Sequence, residues 1–371
     1  MVKGYWTKEE DKLLEKLLKD KKTSWAEILE KLQRSDDAVD HRARRLGLSL
    51  YISAKRSRKE VNEMANKVSV NDFVNEVIRN LPKVVNPLKP IKPYKLTAGT
   101  GDEEQAVQLL SDWQLGHRTA TFSSQVAKER LERLLKATVK IVNLHRNAYP
   151  IRIINLFLLG DFIQSEKVGY LVDLSELETI LIEQVYKQAV PLLASYIQNI
   201  SQHFEKVNVY CVRGNHGKGE KTSSERTNWD DVIYYTLQYQ FQDNDRIQIT
   251  IAQNFYQVVQ IFNTKFLLAH GDQVRGGSYG IPLYALLQRM LRWATAMPFT
   301  WDVLCVGHWH NFAYLEQNRQ FLIVNGTLVS DDEYVRKTYG WNSSTSQTLF
   351  SVHPKQGITW LYQLKLNGGK K

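Results

Sequence analysis

Cysteine is scarce: Cys211 and Cys305 are the only two in 371 residues, and both sit in apolar, strand-like runs. They read as buried thiols in a reducing compartment rather than as a disulfide. No stretch of about 18 uninterrupted apolar residues occurs, so no transmembrane span and no membrane partner are expected. The opening MVKGYWTKEEDK carries no apolar leader, which argues against secretion by that route. The chain therefore reads as cytoplasmic, with nucleoid association open. There is no internal repeat of fixed period, and no low-complexity tract outside one proline-rich stretch. What is present is an ordinary globular composition, 43% hydrophobic and 24% charged, with length for two or three domains.

The net charge of +10 is unevenly placed. Residues 1–101 hold 22 Lys and Arg against 14 Asp and Glu, whereas the remainder holds 27 against 25. A basic front on a nearly neutral body suggests a polyanion-binding module tethered to something else, although a solubilising surface has the same composition.

Residues 1–50 read as a small three-helix domain. Thr7 with Glu10 forms a capping box before the stripe Leu13, Leu14, Leu17 and Leu18. Ser24 with Glu27 repeats the signal. A third helix begins after Ser35, with Asp36 and Asp37 in its first turn, and ends at Gly47. Residues 51–104 read as a linker: KRSRKE is basic, VSVNDFVNEVIRNL suits one amphipathic helix, and PKVVNPLKPIKPYK holds four prolines and should be extended and stiff.

From residue 105 to 371 the texture is α/β. Apolar, β-rich runs end abruptly in Gly, Asp, Asn or His, and helical stretches near 125–146 and 175–203 separate the early ones. In such folds ligands collect beyond the carboxyl ends of strands. Five strand ends carry ligand-type residues: Asp112 in SDWQLGH, Asp161 in LLGDF, Asn215 and His216 in RGNHG, His270 in LLAHGD, and His308 with His310 in GHWH. Each has glycine nearby, which permits tight turns and close backbone approach. Any one of them has a structural explanation, such as a cap or a satisfied core histidine. Five in this order are hard to explain by packing. Mixed Asp, Asn and His donors suit Mn²⁺ first, then Fe or Zn²⁺, and the lack of thiolates argues against a structural zinc site.

This order resembles the calcineurin-like metallophosphoesterase superfamily, whose pattern runs D-x-H, GD, GNH followed by an acid, H, and GH-x-H. The resemblance covers about residues 107–330. It implies a two-sheet β-sandwich flanked by helices, with two divalent metal ions at one edge. It also implies that Asp161 bridges both ions, that Asp112, Gln114 and His310 complete one position, and that Asn215, His270 and His308 complete the other. A metal-bound hydroxide then attacks phosphorus, and His216 stands beside the phosphate as acid or charge stabiliser. Two positions depart from the pattern. Gln114 stands where the family has histidine, with His117 as a possible substitute ligand, and Gly217 stands where an acid is common. The turn Asn325-Gly326-Thr327 also resembles the family's closing turn, though a plain turn accounts for it equally well.

The front module, through Trp6, Glu9, Glu10, Asp11, Leu14, Trp25, Ile28 and the Arg44–Leu46 end, resembles Myb/SANT-type helix-turn-helix domains. That resemblance implies that the third helix enters the major groove of DNA, with His41, Arg42, Arg44 and Arg45 facing it. Lys55, Arg56, Arg58 and Lys59 then extend contacts along phosphates. Asp40 on the same helix would repel DNA, and some SANT-type modules bind protein, so a protein partner stays open. Near the metal positions, Arg213, Lys218, Lys221 and Arg275 are candidate backbone contacts, and Trp113, Phe162, Tyr170 and Trp309 are candidate base-stacking residues. The combined reading is a metal-dependent phosphodiesterase acting on DNA, a nuclease targeted by its front module. A phosphatase or small-molecule phosphodiesterase with a protein-binding front module, and a non-catalytic DNA-binding scaffold, are the alternatives.

Overall fold

Thr7 caps the first helix in the computed structural model as its sequence predicts: its hydroxyl accepts from the Glu10 amide at 3.2 Å, and Glu10 reaches back to the Thr7 amide at 2.9 Å. The structure describes residues 6–20, 23, 25–48, 80–81, 85–94, 99–166, 177–218, 228–274, 281–331 and 344–367. The chain divides into two units, Met1–Glu76 and Val77–Lys371.

The first unit holds α1 (Lys8–Lys19), α2 (Trp25–Leu32) and α3 (Asp36–Arg45). Leu14, Leu17, Leu18, Trp25, Ile28, Leu32, Val39 and Ala43 form its core. Two ion pairs fasten the first helix: Arg34 meets Glu10 at 3.0 Å and Arg42 meets Asp11 at 2.5 Å. Arg34 also lies 4.8 Å above the Trp6 ring, so Trp6 belongs to the packing.

The second unit is built on two mixed sheets. Its elements in chain order are β1 (Glu104–Leu110), α4 (Ser124–His145), β2 (Ile151–Leu158), α5 (Val190–Ile200), β3 (Lys206–Cys211), α6 (Trp229–Gln240), β4 (Ile247–Ile251), β5 (Tyr256–Ile261), β6 (Thr264–Ala269), α7 (Leu283–Ala296), β7 (Val303–Val306), β8 (Ala313–Gln317), β9 (Gln320–Val324), β10 (Ser346–His353) and β11 (Gly357–Lys365). A short helical turn, Leu181–Glu183, leads into α5 through a π-helical stretch, Gln184–Ala189. One sheet runs β11-β10-β1-β2-β3-β4 and the other β5-β6-β7-β9-β8. The strands β1 to β4 are mutually parallel, as are β6, β7 and β9.

Strand alternation explains the layers, because successive side chains point to opposite faces. On β1, Val107 and Leu109 join Phe157, Phe266, Leu268 and Cys305 in the core between the sheets, while Ala106 and Leu110 join the helix-side core with Leu134 and Leu193. Gln108 faces the helices too, held by Thr138 at 2.7 Å and the Tyr196 hydroxyl at 2.5 Å. A third cluster packs α7, through Leu286, Met290 and Trp293, on the outer face of the second sheet. The two-sheet sandwich flanked by helices, preceded by a small helical unit, is the architecture anticipated above.

Residues 85–94 of the proline-rich stretch carry no helix or strand and lie along the rest of the second unit. Leu88 donates to the Gln240 carbonyl at 2.8 Å, Tyr94 donates to the Gln202 carbonyl at 2.7 Å, and Arg246 donates to the Ile91 carbonyl. The amphipathic segment expected just before it, VSVNDFVNEVIRNL, lies almost wholly outside the described residues. Among the described residues, no helix is long and apolar enough to cross a membrane.

Candidate metal centre

The ligand-type residues all follow the carboxyl ends of parallel strands: Asp112 after β1, Asp161 after β2, Asn215 and His216 after β3, His270 after β6, and His308 and His310 after β7. Parallel neighbours deliver these ends to the same edge of a sheet, which is why residues so far apart in sequence meet. Asp112, Gln114, Asp161, His308 and His310 have φ values of 55°, 43°, 58°, 65° and 54°. Left-handed backbone is costly for side chains of this kind, roughly 1–2 kcal/mol each, and persists where the surroundings impose it. Two glycines allow the loops to close. A Cβ on Gly214 would lie 2.0 Å from Asp161 Oδ1, and one on Gly307 would lie 2.5 Å from Asp112 Oδ2.

Asp161 is the hub. Its Oδ1 accepts from the His216 amide at 2.7 Å. Its Oδ2 lies 2.9 Å from His270 Nε2 and 3.7 Å from His216 Nε2, but it is buried and accepts no well-directed hydrogen bond. Burial alone would raise the Asp161 carboxyl, yet the charges of His270 and His216 outweigh it and hold the group far below the usual carboxylate range. His270 is fully buried. Its Nδ1 donates to the Leu159 carbonyl at 2.7 Å, which turns Nε2 toward Asp161 and toward Asn215 Oδ1 at 3.0 Å. Burial would lower this ring, but Asp161 pushes it up to about 10. His308 is pushed down to about 3 by burial and then by the charge of His270, so it presents a neutral nitrogen. The ligand atoms of Asp161, His270 and His308 all lie within 4.8 Å of one another.

Beside this group, Asp112 accepts from the His308 amide at 3.1 Å on both oxygens and lies 3.5 Å from His310 Nε2. Gln114 places its amide nitrogen 3.2 Å from His216 Nε2 and 3.1 Å from His310 Nε2. His216 is anchored from behind, with Nδ1 3.0 Å from the Gln164 carbonyl. His117 is buried with its amide on the Gln114 carbonyl at 3.0 Å, and among the described residues it is not part of the converging group.

These residues fit a divalent cation. Asp161 Oδ2 is buried and lies 2.9 Å from His270 Nε2 without a well-directed hydrogen bond, the ligand atoms of Asp161, His270 and His308 lie within 4.8 Å of one another, and Gly214 and Gly307 leave no room for added side chains. A buried carboxylate is costly unless positive charge lies beside it.

Sequence reasoning missed the supports that Asp230 and Asn228 provide. Asp230, fully buried at the start of α6, accepts from the amides of Asp161 at 3.1 Å, Gly214 at 2.8 Å and Phe162 at 3.5 Å. Burial first, and then the neighbouring Asp161 charge, push Asp230 up to about 7. Asn228 donates to the Gly214 carbonyl at 2.8 Å and accepts from the Asp230 amide at 2.8 Å. A Cβ at Gly217 would lie 2.2 Å from Asn228 Oδ1. Gly217, where an acid was expected, therefore makes room for Asn228. On the other side, Thr327 donates to the Asp112 carbonyl at 2.8 Å, and Asn325 donates to the Ser111 hydroxyl at 2.9 Å. The NGT turn thus holds Asp112. The sequence signal for the first support was NWDD, a helix start with two acids.

Of the aromatic candidates, Trp113 and Phe162 are fully buried and pack edge to face at 5.0 Å. They are core. Trp309 is partly exposed, with its ring 4.9 Å from that of His308. Arg213 is bound to Asp231 at 2.5 Å, and Lys218 is partly buried. Tyr170, Lys221 and Arg275 lie outside the described residues, as do Lys55, Arg56, Arg58 and Lys59. On α3, His41 and Arg45 are exposed, Asp40 is partly buried, and the Arg44 side chain is outside the described set. Arg42, another of the expected DNA-facing residues, grips Asp11 with two nitrogens, at 2.7 and 2.5 Å.

Among curated proteins, none matches the chain. Solved structures are similar over 70–72% of the chain. Vacuolar Protein Sorting 29 from Cryptosporidium parvum shares 18% identity, covering 72% of this chain and 95% of that one, with a TM-score of 0.35. An archaeal phosphodiesterase shares 13%, covering 70% and 99%, with a TM-score of 0.32. Yfce, a phosphoesterase from E. coli, shares 15%, covering 71% and 100%, with a TM-score of 0.30. Residues 3–46, which contain the three helices of the first unit, match the family model of the Myb-like DNA-binding domain.

Proposed function

We propose that this chain is a metal-dependent phosphodiesterase acting on DNA, a nuclease delivered to the polymer by its Myb-like unit. The observation that carries the reading is the convergence of Asp161, His270 and His308 around a buried carboxylate oxygen with no hydrogen bond. Asp161 would be shared by two divalent cations, with Asn215, His270 and His308 at one position and Asp112 and His310 at the other. Mixed oxygen and imidazole donors favour Mn²⁺, with Fe or Zn²⁺ as the next choices. When bound, such cations neutralise phosphate charge and activate water for in-line displacement.

The chain's own residues do the rest. His216, held at Nδ1 by the Gln164 carbonyl and with Nε2 3.7 Å from Asp161 Oδ2, would donate from Nε2 to the phosphate or to the leaving oxygen. Asp230 and Asn228 keep the Asp161 and Asn215 turns together, so the donors need no reorganisation. The Myb-like unit raises the local concentration of DNA phosphodiester without adding contacts at the reacting atoms.

The test is an incubation of the full chain with linear, circular and single-stranded DNA and with a simple aryl phosphate ester, in Mn²⁺ or in EDTA. Cleavage of DNA in Mn²⁺ and none in EDTA is expected. Turnover of the simple ester alone would favour a phosphatase, and metal-independent binding without cleavage would favour a scaffold. A companion variant, His41→Ala with Arg45→Ala, is expected to weaken DNA binding across all sequences. It should lower the salt slope by about 1 for each phosphate that is no longer neutralised. Hydrolysis of the simple ester should be unchanged.

A further inference from the structure

The ring of His216 is backed by a peptide group. Its Nδ1 lies 3.0 Å from the Gln164 carbonyl oxygen, and that carbonyl shares one planar, trans peptide with the Ser165 amide. The oxygen and the hydrogen of such a plate point in opposite directions, so whatever grips the amide also aims the carbonyl. The grip is Gln184 Oε1, which accepts from the Ser165 amide at 2.7 Å. Gln164 is tied on its other side, where its own amide donates to the Leu115 carbonyl at 2.9 Å. Ser165 has a φ of 65°, a left-handed backbone that persists in a residue other than glycine where its neighbours impose it.

Gln184 is itself firmly set. It is fully buried. Its Nε2 donates to the Thr179 carbonyl at 2.8 Å, which fixes the direction of the side-chain amide: the NH₂ end faces a carbonyl and the oxygen faces an N–H. Its stem lies over Gly116, where an added Cβ would stand 2.4 Å from Gln184 Cγ. It also opens the π-helical stretch Gln184–Ala189, a rare backbone form that is frequent at functional sites.

We propose that Gln184 is a positioning residue for His216: by gripping the Gln164–Ser165 peptide it sets where the imidazole stands, with Nε2 3.7 Å from Asp161 Oδ2. This role rests on the phosphodiesterase reading above. It concerns the place of the ring and not its charge. Without the Gln184 oxygen the peptide is free to turn, and the ring loses the stop behind it. A reacting group displaced by about 1 Å can cost about 10²-fold in rate.

The test is a double-mutant cycle on DNA cleavage in Mn²⁺ by the full chain, with Gln184→Met, His216→Gln and the pair. Gln184→Met keeps the stem over Gly116 and removes the oxygen. Its kcat is expected to fall about 10- to 50-fold, with KM moving by less than about twofold. In the His216→Gln background the same change should cost less than about twofold, because the ring it places is gone. Gln184→Glu, which keeps an oxygen for the Ser165 amide, should recover most of the rate. Gln184→Asn draws the amide back by one methylene. It should show the same coupling at a smaller loss, and it carries the cycle if Gln184→Met melts below the assay temperature. An undiminished kcat in folded Gln184→Met, losses that multiply in the pair, or a loss through KM alone would overturn the proposal. Wild type that cleaves no phosphodiester in Mn²⁺ would instead overturn the phosphodiesterase reading, and this role with it. A cycle without coupling in an active wild type overturns the role alone.

Discussion

Asp161→Asn is expected to lower metal-dependent DNA cleavage by at least about 10³-fold, more than the loss of a single oxyanion donor in well-studied hydrolases. The substitution is nearly isosteric. Its remaining oxygen still accepts from the His216 amide, which holds Oδ1 at 2.7 Å in the wild type, so the turn keeps its shape. What disappears is the negative charge at Oδ2, the atom that is buried and without a hydrogen bond. A neutral amide there neither balances two cations nor bridges them, and its NH₂ presents hydrogens to the space a cation would fill. Near-normal cleavage by folded Asp161→Asn protein, with circular dichroism unchanged, would contradict the assignment. His216→Gln should be milder, because it removes a donor at the rim and leaves the cation ligands in place.

Asp230→Ala is expected to destabilise the second unit by about 3–5 kcal/mol, read from the urea midpoint of the full chain, because it strands buried amides worth about 1–3 kcal/mol each. Those of Asp161 and Gly214, at 3.1 and 2.8 Å, are the best-formed of the three it accepts. Asp230→Asn keeps an acceptor for both and should cost less. Because both amides belong to the turns that carry the metal ligands, activity should also fall about 10- to 100-fold in Asp230→Ala. The group has a pH signature as well. Its folded value is pushed up to about 7 by burial and by Asp161, against an ordinary value of 3.8. Between those values the folded chain holds a proton that the unfolded chain has released. Its contribution to stability is therefore complete below about pH 4 and is lost as the pH rises through 7. In chelator-treated protein this component of the stability–pH slope should be present in wild type and absent in Asp230→Asn. A slope that survives the substitution unchanged would assign it to another group.

How much of this was legible in the sequence depended on range. The strands ending in Asp112, Asp161, His270 and His308 announced themselves through apolar runs that stop at a polar residue, because the pleat is a local property. The capping box at Thr7 and Glu10 was legible for the same reason. Asp230 was not, since its partner Asp161 lies 69 residues away and only packing buries it. The pairing of Arg42 with Asp11 was not legible either, since the two stand 31 residues apart. The prolines marked a segment without helix or strand, and residues 85–94 carry neither. They carry no information about the surface it lies on, and that surface includes Arg246, which reaches Ile91 across 155 residues.

The central claim is that distant side chains converge on one shared carboxylate to hold divalent cations. Crystals of the full chain grown in Mn²⁺ and measured near the manganese absorption edge test it most directly. The account predicts an anomalous peak bonded to Asp161 Oδ2, His270 Nε2 and a ring nitrogen of His308, with a second peak toward Asp112 and His310. Imidazoles in the arrangement described, with no anomalous density among them at millimolar Mn²⁺, would contradict it.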